Sequence, residues 1–110
     1  MINLMMFHLR SLVFHVGDEW LEYFYPAMKA WIHYIPVPSR AREEELYGLI
    51  EFAKEHPDIA IKIAERGASF IEDHVRMSDV KCYWDKLLRS YSDLMTYQVI
   101  KDPNVKIVKP

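Results

Sequence analysis

The amino-acid sequence predicts an α/β chain in which two short parallel strands come first and three main helices follow. Apolar residues stand in short continuous runs before residue 40, and they change to helical spacing after it. The chain has 110 residues, of which 51% are hydrophobic and 27% are charged. This size allows one modest domain, and this composition is typical of folded globular proteins rather than disordered or collagenous ones.

The first predicted strand is the apolar run 12–16, which Gly17 and Asp18 close as a turn. A short helix over 19–25 is expected next, and Pro26 should end it because proline lacks the amide donor that continues a helix. The aromatic and β-branched run 31–35, followed by Pro36, predicts the second strand.

Three helices are predicted in the remainder. Ser39 should cap the first, whose early glutamates suit the helix dipole and which should stop near His56. Pro57 should open the second, where Gly67 either kinks the helix or marks a close approach to a neighbour. The third should open at Ser78 and Asp79. Its apolar residues share one face at helical spacing: Val80, Tyr83, Trp84, Leu87, Leu88, Tyr91, Leu94 and Met95.

This predicted set of elements makes an incomplete fold. Two short strands do not hold a stable sheet without further strands, and a parallel sheet normally has both faces covered by helices. We therefore expect the chain to be part of something larger. The tail 98–110 is polar, with a possible short strand at 105–108.

Charge and cysteine content exclude several classes of protein. The net charge is −2 and no run of like charge is longer than Glu43, Glu44 and Glu45, so a nucleic-acid-binding surface is not expected. No stretch is long and apolar enough for a membrane span, and residues 1–16 lack the features of a signal peptide. The single cysteine, Cys82, is either a buried thiol or half of a bridge to another segment or chain.

The candidate binding residues are His15, Gly17, Asp18 and Glu19, which follow the first strand. Ligands of open α/β sheets bind beyond the carboxyl ends of strands, where a helix N-terminus offers free amides to phosphate. Asp18 and Glu19 could then accept hydrogen bonds from sugar hydroxyls. The alternative, favoured by composition alone, is a simple turn in which Gly17 gives backbone freedom and Asp18 caps a helix.

Other reactive residues predict little chemistry of their own. His15, His33, His56 and His74 lie on four different predicted elements without zinc-ligand spacing, so no metal site is expected. No nucleophile signature surrounds Cys82. The aromatic residues could stack on a sugar ring, although their spacing is more typical of a core. They are Trp20, Tyr23, Phe24, Tyr25, Trp31 and Tyr34.

Seven ordered runs carry a family resemblance: SLVFHVGDEW (11–20), FYP (24–26), WIHYIPV (31–37), IAERG (63–67), HVRM (74–77), CYW (82–84) and KLL (86–88). Over residues 11–97 the chain resembles the C-terminal part of the CAP10-type protein O-glucosyltransferases related to Rumi, glycosyltransferase family 90. Residues 1–10 do not match that pattern, and 98–110 form the tail.

The resemblance implies the end of a donor domain in a GT-B enzyme, where two Rossmann-like domains face each other across a cleft. Such enzymes transfer glucose, or in some cases xylose, from a UDP-sugar to a serine of epidermal growth factor-like repeats in the endoplasmic reticulum lumen. No metal cofactor is implied. The family's catalytic aspartate and its serine and arginine donor motif lie outside the matched part. Cys82 matches a cysteine expected to bond with the N-terminal domain, and the four candidate residues fall near the donor cleft.

We therefore expect a fragment of such an enzyme that has no transferase activity alone. Residence in the endoplasmic reticulum lumen, the family's compartment, stays open for this chain because neither a signal peptide nor a C-terminal retention tetrapeptide is present. The alternative is a non-catalytic interaction module, in which the apolar face of the third helix docks a partner.

Overall fold

The computed structural model describes residues 2–19, 21–98 and 100–106, with the side chains of 2–4 outside the description. The α/β class, with two parallel strands and three main helices, is confirmed. An additional short helix at the N-terminus was not predicted. In chain order the elements are α1 (Ile2–His8), β1 (Phe14–Val16), a 3-10 turn (Tyr25–Ala27), β2 (Ile35–Val37), α2 (Glu43–Glu55), α3 (Pro57–His74) and α4 (Met77–Asp93).

The two strands pair in parallel with His15 opposite Pro36. The second strand begins at Ile35 and continues through Pro36, so the prediction of a strand over 31–35 that proline stops is wrong. Ile35 donates its amide to the Val13 carbonyl at 2.9 Å, and Val37 accepts from the Gly17 amide at 2.8 Å. In a strand, the main-chain groups of neighbouring residues point to opposite sides. The nitrogen of Pro36, which has no hydrogen to donate, therefore points away from β1, and no hydrogen bond between the two strands is lost.

The helix predicted over 19–25 is also wrong. Residues 19 and 21–24 are not helical, and Pro26 lies inside a 3-10 turn at Tyr25–Ala27 instead of ending a helix. Consecutive aromatic side chains explain the difference. Phe24 and Tyr25 are both buried and stack at 5.3 Å, whereas an α-helix would direct them about 100° apart.

The predicted cap at Ser39 is wrong, since the residue before α2 is Arg42 and the one before α4 is Arg76. In both helices the carboxylate of the third residue caps the N-terminus. Glu45 accepts a hydrogen bond from the Arg42 amide, and Asp79 accepts one from the Arg76 amide, each at 2.9 Å. An acidic side chain thus serves the first turn of each helix, as the dipole favours. The possible strand at 105–108 is absent at 105 and 106, and the rest of it lies outside the described residues.

Helix α3 packs against the rest of the chain at Gly67. A Cβ built on Gly67 would lie 2.5 Å from the His33 carbonyl oxygen and 2.9 Å from Cδ1 of Phe7. Of the two roles predicted for this glycine, close approach to a neighbour is therefore the correct one. Phe7 and Ile71 are fully buried there. They belong to a core that also contains Val13, Phe24, Tyr25, Met28 and Val75.

Helix α4, in contrast, is uncovered along most of its length, although Val80 packs partly against the core and Tyr83 stacks on Tyr23 at 4.3 Å. None of its 17 residues is buried, and Trp84, Leu88 and Tyr91 are 54%, 59% and 65% exposed. The radius of gyration is 19.5 Å, against about 13 Å for a compact domain of 100 residues. The accessible surface is 9318 Å², against about 6,400 Å² for a compact protein of this mass. This shape agrees with the prediction of an incomplete fold.

Candidate functional site

An open groove of about 810 Å³ lies at the carboxyl ends of the two parallel strands. The residues that follow β1, the loop that precedes β2, the residues that follow β2 and the first half of α2 line it. Ligands of parallel α/β sheets bind at this end of the strands. The groove is therefore the strongest candidate for a ligand site among the described residues.

The turn after β1 depends on Gly17. Its φ is +69°, in the left-handed region, and a Cβ there would lie 3.1 Å from the Cβ of Ser39. The Gly17 amide also extends the strand pairing by its bond to Val37. Because glycine alone meets both requirements without strain, this residue fixes where Asp18 enters the groove.

His15 lies on β1 and is only 9% exposed. Its ring packs on Tyr25 at 4.4 Å and meets Tyr34 edge-on at 5.6 Å. Its Nε2 atom is buried and has no hydrogen-bond partner within the described part of the chain. Since buried polar atoms in folded proteins nearly always have a partner, this nitrogen is one of the exceptions among the described residues.

The groove's electrostatics favour hydroxyl groups over phosphates. Two carboxylates line it: Asp18 is exposed, and Glu45 is held by the Arg42 amide at the start of α2. No lysine or arginine is among the described lining residues. Carboxylates accept hydrogen bonds from hydroxyls and repel phosphate oxygens. A diphosphate group would need its cationic partners from elsewhere.

The structure brings three of the four predicted residues together. His15, Gly17 and Asp18 line the groove, while Glu19 is exposed outside it. The helix N-terminus expected after Asp18 is absent, since 19 and 21–24 are not helical. The binding hypothesis is therefore wrong in expecting free helix amides there. The simple-turn alternative is wrong in expecting Asp18 to cap a helix. That these residues bind a donor stays a prediction.

The aromatic residues divide between core and groove. Phe24 and Tyr25 are buried, as a core requires, whereas Trp31 and Tyr34 line the groove. Trp31 is 47% exposed and has φ of +64°, a conformation rare for a bulky side chain. Its ring meets Phe52 of α2 edge-on at 5.9 Å. Trp20 lies outside the described residues.

Sequence reasoning did not single out Ser39 and Glu45 as groove residues. Ser39 is the second residue after β2, as Asp18 is the second after β1, so a search of both strand ends could have found it. Glu45 had no such signal, because its place depends on how α2 packs over the strands.

Three further findings concern metals, membranes and the thiol. Among the described residues, no group of three or more His, Cys, Asp or Glu side chains could hold a metal ion. No helix within the same residues has the length and apolar character that crossing a membrane requires. Cys82 is an exposed free thiol on α4, so the buried alternative is wrong. Its pairing with another segment stays a prediction.

Comparison with known proteins gives a consistent set of relatives. The sequence profile described as Glycosyl transferase family 90 matches residues 4–110. An O-glucosyltransferase rumi homolog of Anopheles gambiae is 57% identical over 97 residues, which are 88% of this chain and 24% of the relative. Protein O-glucosyltransferase 1 of Homo sapiens is 50% identical over 91 residues, 83% of this chain and 23% of the relative.

A third relative, the O-glucosyltransferase rumi of Drosophila melanogaster, is 44% identical over 105 residues, which cover 96% of this chain and 26% of the relative. The chain thus spans about a quarter of the length of these relatives. It corresponds to their C-terminal part. The division of the chain at residues 10 and 97 stays a prediction.

Proposed function

The chain belongs to glycosyl transferase family 90, and we propose that it is the part of a protein O-glucosyltransferase that forms one wall of the donor-sugar site. The observation that carries this proposal is the groove at the carboxyl ends of β1 and β2, which Asp18, Trp31 and Ser39 line. In α/β proteins, ligands bind at this edge of a parallel sheet. The complete enzyme would be a GT-B glycosyltransferase whose second domain faces the groove.

In this proposal the groove binds the neutral, hydroxyl-bearing part of UDP-glucose or UDP-xylose. Asp18 accepts hydrogen bonds from hydroxyls, and the exposed ring of Trp31 offers a flat apolar face. The diphosphate needs cationic or amide partners that the described lining residues do not supply. An aspartate outside the chain would activate the acceptor serine of an epidermal growth factor-like repeat.

The rest of the enzyme would cover the apolar face of α4. Trp84, Leu88 and Tyr91 expose the kind of surface that monomeric proteins bury or use for contact. Cys82, exposed on the same helix, would form a disulfide with the preceding domain. Such a bond is consistent with residence in the endoplasmic reticulum lumen, where disulfides form and persist.

The test uses the full-length enzyme that contains this segment, assayed with UDP-glucose and an epidermal growth factor-like repeat. Asp18→Asn should raise the donor KM about tenfold, the effect of one lost hydrogen bond to a charged group. Asp58→Asn, an equal change at an exposed site outside the groove, is the control. An unchanged donor KM in the Asp18 variant would contradict the assignment of the groove.

The 110-residue chain alone should have no transferase activity but should bind the donor weakly. Titration with UDP-glucose, followed by amide chemical shifts, should move the signals of Gly17, Gly48 and Leu49, which line the groove. Shifts confined to α4 would instead indicate that the groove is not the donor site.

A non-catalytic interaction module is the second candidate function, and the uncovered face of α4 favours it. Here α4 would dock a partner regardless of any sugar nucleotide. The two candidates differ in the behaviour of the isolated chain. A module should show a Tm that UDP-glucose does not change, whereas the donor-binding part of an enzyme should be stabilised by UDP-glucose, because a ligand that binds only the folded state raises the Tm.

A further inference from the structure

A second cavity, of about 430 Å³, lies between the loop that precedes β2 and one side of α3. It shares no lining residue with the groove at the strand ends. Its lining is rich in charged and titratable side chains. They are His33, Lys62, Glu65, Arg66, Asp73 and His74.

Lys62 and Arg66 lie one helical turn apart on α3 and face the same cavity. Neither forms an ion pair within the part of the chain that the structure describes. Ser69 adds a hydroxyl donor on the same lining. A guanidinium, an ammonium and a hydroxyl together match the several oxygens of a tetrahedral anion.

Two imidazoles complete the cavity, one on each side of Phe70. The rings of His33 and His74 lie 5.1 Å and 5.0 Å from the Phe70 ring. His33 accepts the Lys29 amide at Nδ1, at 2.8 Å, so Nε2 is its remaining nitrogen. Burial, and to a smaller extent the charges of Lys29, Arg66 and His74, lowers the pKa of His33.

The two walls of the cavity are held together at Gly67. The His33 carbonyl oxygen lies 2.5 Å from the position that a Cβ of Gly67 would occupy, which is too close for a side chain to fit. The loop that carries His33 is therefore pressed directly on the backbone of α3. This contact fixes the loop backbone at His33 relative to the helix backbone beside Arg66.

The charge of the cavity depends on pH. With neutral imidazoles, Lys62 and Arg66 are balanced by Glu65 and Asp73 on the same lining. Protonation of His33, which its lowered pKa places below about pH 6.5, leaves the cavity positive. The other charged groups near these imidazoles are Lys29 in the loop and Asp79 at the start of α4.

We propose that this cavity binds a tetrahedral oxyanion, a phosphoryl or sulfate group, and that it binds the anion more tightly as the pH falls. The unpaired Lys62 and Arg66 provide the fixed positive charge. The His33 imidazole adds charge once the pH falls below its ordinary pKa of 6.5, because its pKa in the folded chain is lowered. The proposal is independent of donor binding in the groove, because the two sites share no lining residue.

The test is an amide chemical-shift titration of the 110-residue chain at constant ionic strength. Sodium sulfate is the probe because its charge does not change over the pH range, and sodium chloride is the blank. The Ser69 and Phe70 signals should respond, and the affinity for sulfate should rise about threefold between about pH 7.5 and about pH 5, as the one positive charge added by His33 predicts. Inorganic phosphate in a second arm at about pH 7.5 distinguishes a phosphoryl ligand from a sulfate.

The variant Lys62→Gln/Arg66→Gln should lose the response. Both residues are exposed, so the fold should survive, and unchanged amide spectra in the absence of sulfate check this. Lys81→Gln/Arg89→Gln on α4 removes the same charge elsewhere and should bind sulfate like the parent. His33→Gln should retain binding at about pH 7.5 but lose the gain on acidification. Equal affinity at both pH values, or equal binding by the α3 variant, would overturn the proposal.

Discussion

Gly67 and Gly48 should respond in opposite ways to the same substitution. Both lie inside helices, but a Cβ on Gly67 would meet a backbone carbonyl at 2.5 Å, and a Cβ on Gly48 would meet nothing within 4 Å. Alanine stabilises a helix by about 1 kcal/mol relative to glycine. Forcing an extra carbon into a packed site costs about 1–3 kcal/mol, and a carbonyl held in place by the chain gives the upper end of that range.

Gly67→Ala should therefore lower the free energy of unfolding by about 2 kcal/mol, which corresponds to a Tm lower by about 10 °C for a domain of this size. Gly48→Ala should raise the free energy of unfolding by about 1 kcal/mol and the Tm by about 5 °C. Thermal unfolding followed by circular dichroism at the helix band measures both. If Gly67→Ala raised the Tm as much as Gly48→Ala, the contact between α3 and His33 would not exist as described.

Three further predictions concern other parts of the chain. Gly17→Ala should cost about 1–2 kcal/mol in urea unfolding, because its φ of +69° is strained for any side chain, and Gly17→Asn should cost less. Since the pKa of His33 lies below its ordinary 6.5 through burial and then through Lys29, Arg66 and His74, the unfolded chain binds that proton more readily. The free energy of unfolding should thus keep its highest value above about pH 6.5 and decrease below it. The decrease should be smaller in His33→Gln. If the free energy of unfolding of that variant fell with pH as steeply as that of the parent, the assignment to His33 would be wrong. Leu88→Ser, at a site 59% exposed, should change the stability of this chain by less than about 0.5 kcal/mol but destabilise a full-length enzyme whose other domain covers α4.

The helices were predictable from sequence to a degree that the strands and loops were not. The apolar face of α3 and the acidic first turn of α2 are local patterns, and the structure has both. The segment 19–25 failed because its aromatic residues bury side by side in the core, which no local pattern reveals. The uncovered face of α4 has the spacing of a packed helix, so sequence alone could not distinguish a covered face from an exposed one.

The candidate site shows the same division. The turn after β1 was found because glycine and aspartate follow an apolar run, and His15, Gly17 and Asp18 do line one groove. Glu19 was misplaced because its position depended on a helix that does not form. Trp31 was assigned to a strand, and its left-handed backbone carries it to the groove instead. Long-range packing, which places Glu45 and Trp31, is the information that spacing lacks.

Pro36 determines in which direction the small sheet can grow. Ile35 and Val37 use their main-chain groups on β1, so the edge of β2 that faces away carries a proline nitrogen where another strand would require an N–H. A strand added there would be one hydrogen bond short, and natural sheets use proline at their borders to prevent such additions. The free edge of β1 has no such block among the described residues. Any larger sheet that includes these two strands should therefore extend past β1 and terminate at β2.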